Sequence, residues 1–223
     1  MGMLMGRYKA ISIAFVATAG PLLSVLSGDI ASAGTDQALA AYQRGDLATG
    51  LKELEAGAAV GEPEAFYNLG ITYTLGAGVT ADRKKAAAYF LQGADRGNVF
   101  AAFEIGESYE TGKGIEQNFK EAGRWYRVAA MRGHYKAGMR LGTLYYAGTG
   151  VPADLIEAFS WIYPAAHASI MDDDAINACV RLAGEMTKAQ LAKGEARGKR
   201  YYESYMAPNM KVVKVVLASN RPQ

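Results

Sequence analysis

The chain has 223 residues, half of them hydrophobic and 21% charged, and the about 190 residues from Gly34 on suffice for one domain, which excludes two independent cores. One cysteine excludes a disulfide framework, and two histidines leave little material for a histidine-based metal site or a Cys/His nucleophilic centre. The net charge of +2 hides a division: residues 34–185 carry 14 basic and 19 acidic side chains, whereas 186–223 carry 8 and 2, so an acidic body precedes a basic end.

At the N-terminus Arg7 and Lys9 precede an uncharged apolar run from Ala10 to Leu26, and Ala31-Ser32-Ala33 supplies small residues before Gly34. This is the pattern of a secretory signal, residues 1–33, cut after Ala33, and it places the remainder in the periplasm or outside the cell. An uncleaved anchor is the rival, since the run approaches the ~20 residues that span a bilayer. Gly20-Pro21 and the small-residue site favour cleavage over the anchor, so no stable membrane insertion is expected. A cut at Ala17-Thr18-Ala19 leaves a shorter apolar core with Pro21 just after it, and Met1, Met3 and Met5 leave the start open. No cysteine follows the run, which removes the usual lipid attachment point, and nucleic acid is not an expected partner outside the cytoplasm.

Residues 35–61 read as a degenerate helical pair with a short turn at Gly45-Asp46, a cap for the N-terminal end of a repeat array. From 62 a block recurs at a spacing of 36 residues, giving copies over 62–97, 98–133 and 134–170. Ala65, Leu69-Gly70 and Tyr73 align with Ala101, Ile105-Gly106 and Tyr109, and with Ala137, Leu141-Gly142 and Tyr145. The residues four apart make one apolar stripe of a first helix, and the glycine beside them lets a neighbouring helix approach. Gly76-x-Gly78, Gly112-x-Gly114 and Gly148-x-Gly150 then break that helix, with Asp82 and Asp154 as N-caps for a second. The inward stripe of the second helix is Ala86, Tyr89, Phe90 and Ala94, of which Ala86, Tyr89 and Ala94 are repeated as Ala122, Trp125 and Ala130 and as Ala158, Trp161 and Ala166. A unit of this kind cannot bury its apolar face alone and must stack on its copies.

At these residues the chain resembles the Sel-one-like repeat family, relatives of the tetratricopeptide repeat with a longer, glycine-marked turn. The resemblance covers 65–170 and implies an all-α, right-handed α/α solenoid of stacked antiparallel helix pairs, capped at both ends. Ile105 replaces leucine, Gly123 sits beside Ala122, Ser169 replaces the closing glycine, and Pro164 is expected to interrupt the last second helix and kink it.

Downstream, 172–185 and 187–205 read as two capping helices, the first with Ile176, Val180 and Ala183 on its buried face and Asp172-Asp173-Asp174 at its N-terminus. The tail, 206–223, is basic and includes Val212 to Leu217, an apolar stretch able to add to a partner or a second copy. Lys193, Arg197, Lys199, Arg200, Lys211 and Lys214 either form a solvated face or dock on acidic groups of the array, a partner or anionic lipid.

No constellation points to catalysis, and no cofactor or metal is expected. His134 takes the turn position of Asn98 one copy earlier, His167 reads as a packed or capping side chain, and the Gly-x-Gly stretches follow helices and lack the later residues of a phosphate loop. Asp172-Asp173-Asp174 lacks the alternating ligands of a calcium loop, which leaves helix capping.

Positions that differ between copies carry the binding information. On the first helices these are Tyr67, Ile71 and Thr74, then Phe103, Glu107 and Glu110, then Met139, Thr143 and Tyr146, bordered by Glu64, Phe100 and Lys136. In the resembling arrays this face lines a concave groove, which implies an apolar segment carrying a lysine or arginine as the occupant. The expectation is an exported, non-catalytic adaptor or regulator with a protein or peptide partner; the family includes periplasmic regulators that restrain sensor kinases, and secretion or cell-wall machinery is a related setting. The alternative is a cell-wall or β-lactam-binding or hydrolysing protein, as described for cysteine-rich relatives, although those carry paired cysteines and this chain has only Cys179. Oligomeric state is left open.

Overall fold

The computed structural model describes residues 33–167 and 172–208. Over these the chain forms α1 (Ala33–Gln43), α2 (Leu47–Ala59), α3 (Pro63–Leu75), α4 (Arg83–Asp95), α5 (Val99–Thr111), α6 (Phe119–Ala130), α7 (Tyr135–Ala147), α8 (Leu155–His167), α9 (Asp173–Glu185) and α10 (Lys188–Tyr201), closed by a π-helical turn, Tyr202–Met206. All of the segment proposed as a signal except Ala33, as well as Ser169, Lys211 and Lys214, lies outside the described residues. Each helix from α1 to α8 packs on the next, which makes an all-α solenoid of antiparallel pairs, and α10 packs back on α8. Among the described residues no helix is long and apolar enough to cross a membrane.

The 36-residue period reappears as repeated bonds. Asp82, Asn118 and Asp154 cap α4, α6 and α8 by accepting main-chain N–H bonds, and their own N–H groups donate to the carbonyls of Tyr73, Tyr109 and Tyr145 at 2.9, 2.8 and 3.0 Å. Both glycines of each turn have positive φ, between 65° and 81°. The second also sits against the preceding pair: a Cβ on Gly114 would lie 2.0 Å from the Arg83 carbonyl oxygen, and one on Gly150 would lie 2.3 Å from the Phe119 carbonyl carbon. The turn is therefore an inter-repeat contact as well as a helix stop.

Ala65, Leu69, Ala101, Ile105, Ala137 and Leu141 are fully buried, while Tyr73, Tyr109 and Tyr145 pack at the core margin. Gly70, Gly106 and Gly142 admit Phe90, Tyr126 and Ile162 of the paired second helices, each so close that a Cβ would meet the side chain at 2.4–2.7 Å. Trp125 and Trp161 are core residues, and Tyr89 stacks on Tyr73 with ring centres 5.5 Å apart.

Two expectations change beyond the second repeat. α8 is not interrupted at Pro164 but continues to His167: the bond to the carbonyl four residues back is lost, yet packing holds the last turn, with Pro164 and Ala165 buried. The buried face of α9 is Ala175, Cys179 and Leu182, one residue out of phase with the expected Ile176, Val180 and Ala183; Val180 is 68% exposed. Both stripes have the same spacing, and the small Ala175 and Cys179 permit the closer approach to α8. Leu182→Ala should therefore cost about 2–5 kcal/mol and Val180→Ala less than about 0.5, read as shifts in a urea midpoint. The last helix runs on past Tyr201 as expected, but widens there into the π-turn, which lays Tyr201 and Tyr205 on Trp161, at 4.3 and 6.2 Å, while burying Met206.

Candidate binding face

The first helices α3, α5 and α7 stand side by side, and their non-core columns meet around α5. Tyr67 lies 5.8 Å from Phe100, Phe100 meets His134 edge-on at 5.7 Å, and Phe103 stacks on His134 at 4.4 Å. One turn on, Arg140 of α7 pairs with Glu107 of α5 at 3.4 Å. Glu110 accepts a short hydrogen bond from the Tyr126 hydroxyl of α6. Ile71 packs against the core cluster below Tyr67.

The third copy turns its variable residues elsewhere. Met139 packs in the cluster that α8 and α9 enclose, Tyr146 donates to Glu185 of α9 at 2.9 Å beneath Arg181, and Thr143 is exposed with its hydroxyl on the Met139 carbonyl. The face thus divides into a patch on α5, flanked by α3 and the start of α7, and a part that α9 borders, where Met139 is half-buried while Thr143 and Tyr146 stay exposed. The fifth helix carries the largest exposed aromatic of the patch, Phe100, at 50%.

His134 has the structural role expected of it. Its Nδ1 accepts the Ala137 N–H at 3.2 Å and caps α7, and burial, with the Lys136 charge adding, lowers its pKa to about 4, so the ring is neutral. His167 likewise stacks on Tyr163 at 3.6 Å and bonds its carbonyl oxygen. Asp172 caps α9 through the Ala175 N–H. Of the basic residues, Arg197 forms a short ion pair with Glu157 of α8, whereas Lys193, Lys199 and Arg200 are exposed.

Glu104 is the residue that sequence reasoning missed. It follows Phe103 on α5, partly buried beside Tyr67, and burial raises its carboxyl to about 7, with Glu107 adding and Lys136 opposing. Burial together with the Glu104 charge also raises Tyr67. A signal was present: the column Asn68, Glu104, Arg140 differs in every copy as fully as its neighbours. Because a glutamate in the unfolded chain titrates near ~4.3, protonated Glu104 adds stability that is complete below that pH and is lost as pH rises through 7. Glu104→Gln should exceed the parent by about 1–2 kcal/mol at pH 8, after allowing for solvent access, and by much less at pH 4. Urea titrations at the two pH values check it; a difference that does not grow with pH contradicts the burial argument.

The geometry is that of a contact surface: aromatic anchors beside carboxylates. The Sel1 repeat model matches three times, over residues 63–98, 99–134 and 137–169. A solved Sel1 repeat protein from Oxalobacter formigenes is 25% identical, with a TM-score of 0.55 over 80% of this chain and 88% of its own. A protective antigen present in uropathogenic Escherichia coli strains, which displays an SLR fold, is 22% identical with a TM-score of 0.49, over 95% of this chain and 49% of its own. No curated protein matches the sequence. Sel1-repeat proteins are generally protein-interaction modules and typically non-catalytic scaffolds. The chain thus carries three Sel1 repeats in register, on a solenoid fold that it shares with a solved Sel1 repeat protein.

Proposed function

We propose that the chain is an exported, non-catalytic adaptor or regulator that binds a segment of another envelope or secreted protein on the α3–α5–α7 face. Export is supported by Arg7 and Lys9, the apolar run from Ala10 to Leu26 and the small residues ending at Ala33. The observation that carries the binding role is the set on α5: Phe100 and Phe103 stand beside Glu104 and Glu107, at columns where the copies differ. Aromatic anchors next to partly desolvated carboxylates fit a segment with apolar side chains and a lysine or arginine. A cation placed against Glu104 favours its ionised form, so binding between about pH 5 and 7 is coupled to proton release.

The test is recovery of partners from the native compartment on wild-type protein and on Phe103→Ala with Glu107→Lys. Loss of the same bands supports the reading; unchanged recovery overturns it. A regulator restraining an envelope sensor is the sharpest form, and a captured sensor ectodomain would establish it.

A further inference from the structure

We propose that the chain's own C-terminal segment, residues 209–223, occupies the Phe100–Phe103–Glu104–Glu107 face and competes there with the partner. This rests on the binding role of that face and adds its regulation. The described chain ends beside the face: Tyr205 and Met206 line one small cavity with His134 and Tyr135, and the His134 ring stacks on Phe103. From Pro208 the remaining residues span up to about 50 Å when extended, several times the roughly 10 Å between packed helices.

The segment is also chemically complementary. It carries Lys211, Lys214 and Arg221 with no acidic side chain, and Val212-Val213 and Val215-Val216-Leu217 alternate with the lysines. The face offers a half-exposed Phe100 for the valines and, for the lysines, Glu104 and Glu107, of which only Glu107 has an ion pair among the described residues. Arg197 upstream already does the same on a smaller scale by pairing with Glu157 of the array. Tethering helps further, since a segment held on a short linker meets its site at an effective concentration in the millimolar range, so a weak contact competes well.

Disulfide trapping in the full chain tests it. Cys179 is buried and its thiol is pushed up to about 11, which keeps it out of the reaction. Phe100→Cys with Val213→Cys should close an intramolecular disulfide at least tenfold faster than Ala88→Cys with Val213→Cys, in which the first cysteine is exposed on α4. Adding Lys211→Glu and Lys214→Glu should slow the first pair at least fivefold, and in a chain without added cysteines should raise partner recovery severalfold. Equal rates for the two pairs, or disulfides formed only between chains, overturn the proposal, the latter placing a second copy on the face. Absent trapping while Phe103→Ala with Glu107→Lys still loses the partner overturns the tail contact and leaves the binding role standing. Strong trapping with partner recovery insensitive to those substitutions overturns the competition.

Discussion

Replacing Gly114 with alanine is expected to destabilise the fold by about 2–6 kcal/mol. Two costs combine there. The residue has φ +81°, where a side chain costs of order 1–3 kcal/mol, and its Cβ would lie 2.0 Å from the Arg83 carbonyl oxygen, which forces the second repeat away from the first at a further ~1–3 kcal/mol. Gly45 separates the two terms: φ is +79° but nothing lies within 4 Å of a built Cβ, so Gly45→Ala carries the backbone cost alone, near the low end of that range. Gly184→Ala, in the last turn of α9 with open space around it, should be neutral or stabilising by up to ~1 kcal/mol. Urea unfolding of the three variants checks the order. Equal losses at Gly114 and Gly45 would mean that the turn only stops the helix and does not join the repeats.

The second large effect is on binding. Phe103→Ala with Glu107→Lys should weaken partner capture at least tenfold and as much as a hundredfold, because it deletes an aromatic anchor and reverses a charge beside it. Phe103 packs on Tyr126 and His134, so the variant also loses some stability, and circular dichroism must show the helices intact. Glu121→Lys, on α6 and already paired with Arg124 at the surface, makes the same charge change away from the face and should leave capture unaltered. Equal losses in both variants would reduce the effect to net charge.

The stacked pairs were legible because burial and period coincide: a residue such as Leu69 recurs at 36, and only the core requires that. Cap positions were legible for a similar reason, since Asp82 and Asp154 precede the apolar stripe they cap. The phase of α9 was not, because Ala175, Cys179, Leu182 and Ile176, Val180, Ala183 share one spacing, and hydrophobicity favours the wrong set; the choice belongs to close packing on α8. Pro164 misled for the opposite reason: a local rule was overridden by the helices packed around it. On the face, the variable columns were readable, yet Glu104 was passed over and the pull of α9 on Met139 and Tyr146 was invisible. Which column stays open depends on the element beyond the last repeat, and periodicity ends there. The pairing of Arg197 with Glu157, forty residues apart, depends on the same docking of α10 on α8.

If the copies' differing columns on the first helices engage a protein partner, and the faces of the second helices do not, the two surfaces must differ in what they touch. A photo-crosslinking side chain placed at Phe100 in one variant and at Ala88 in another, both exposed, distinguishes them in the native compartment. A discrete crosslinked protein is expected from position 100, lost on adding Glu107→Lys, and none from position 88. Capture from position 88 with none from position 100 would place the partner on the second helices and refute the binding role of α5.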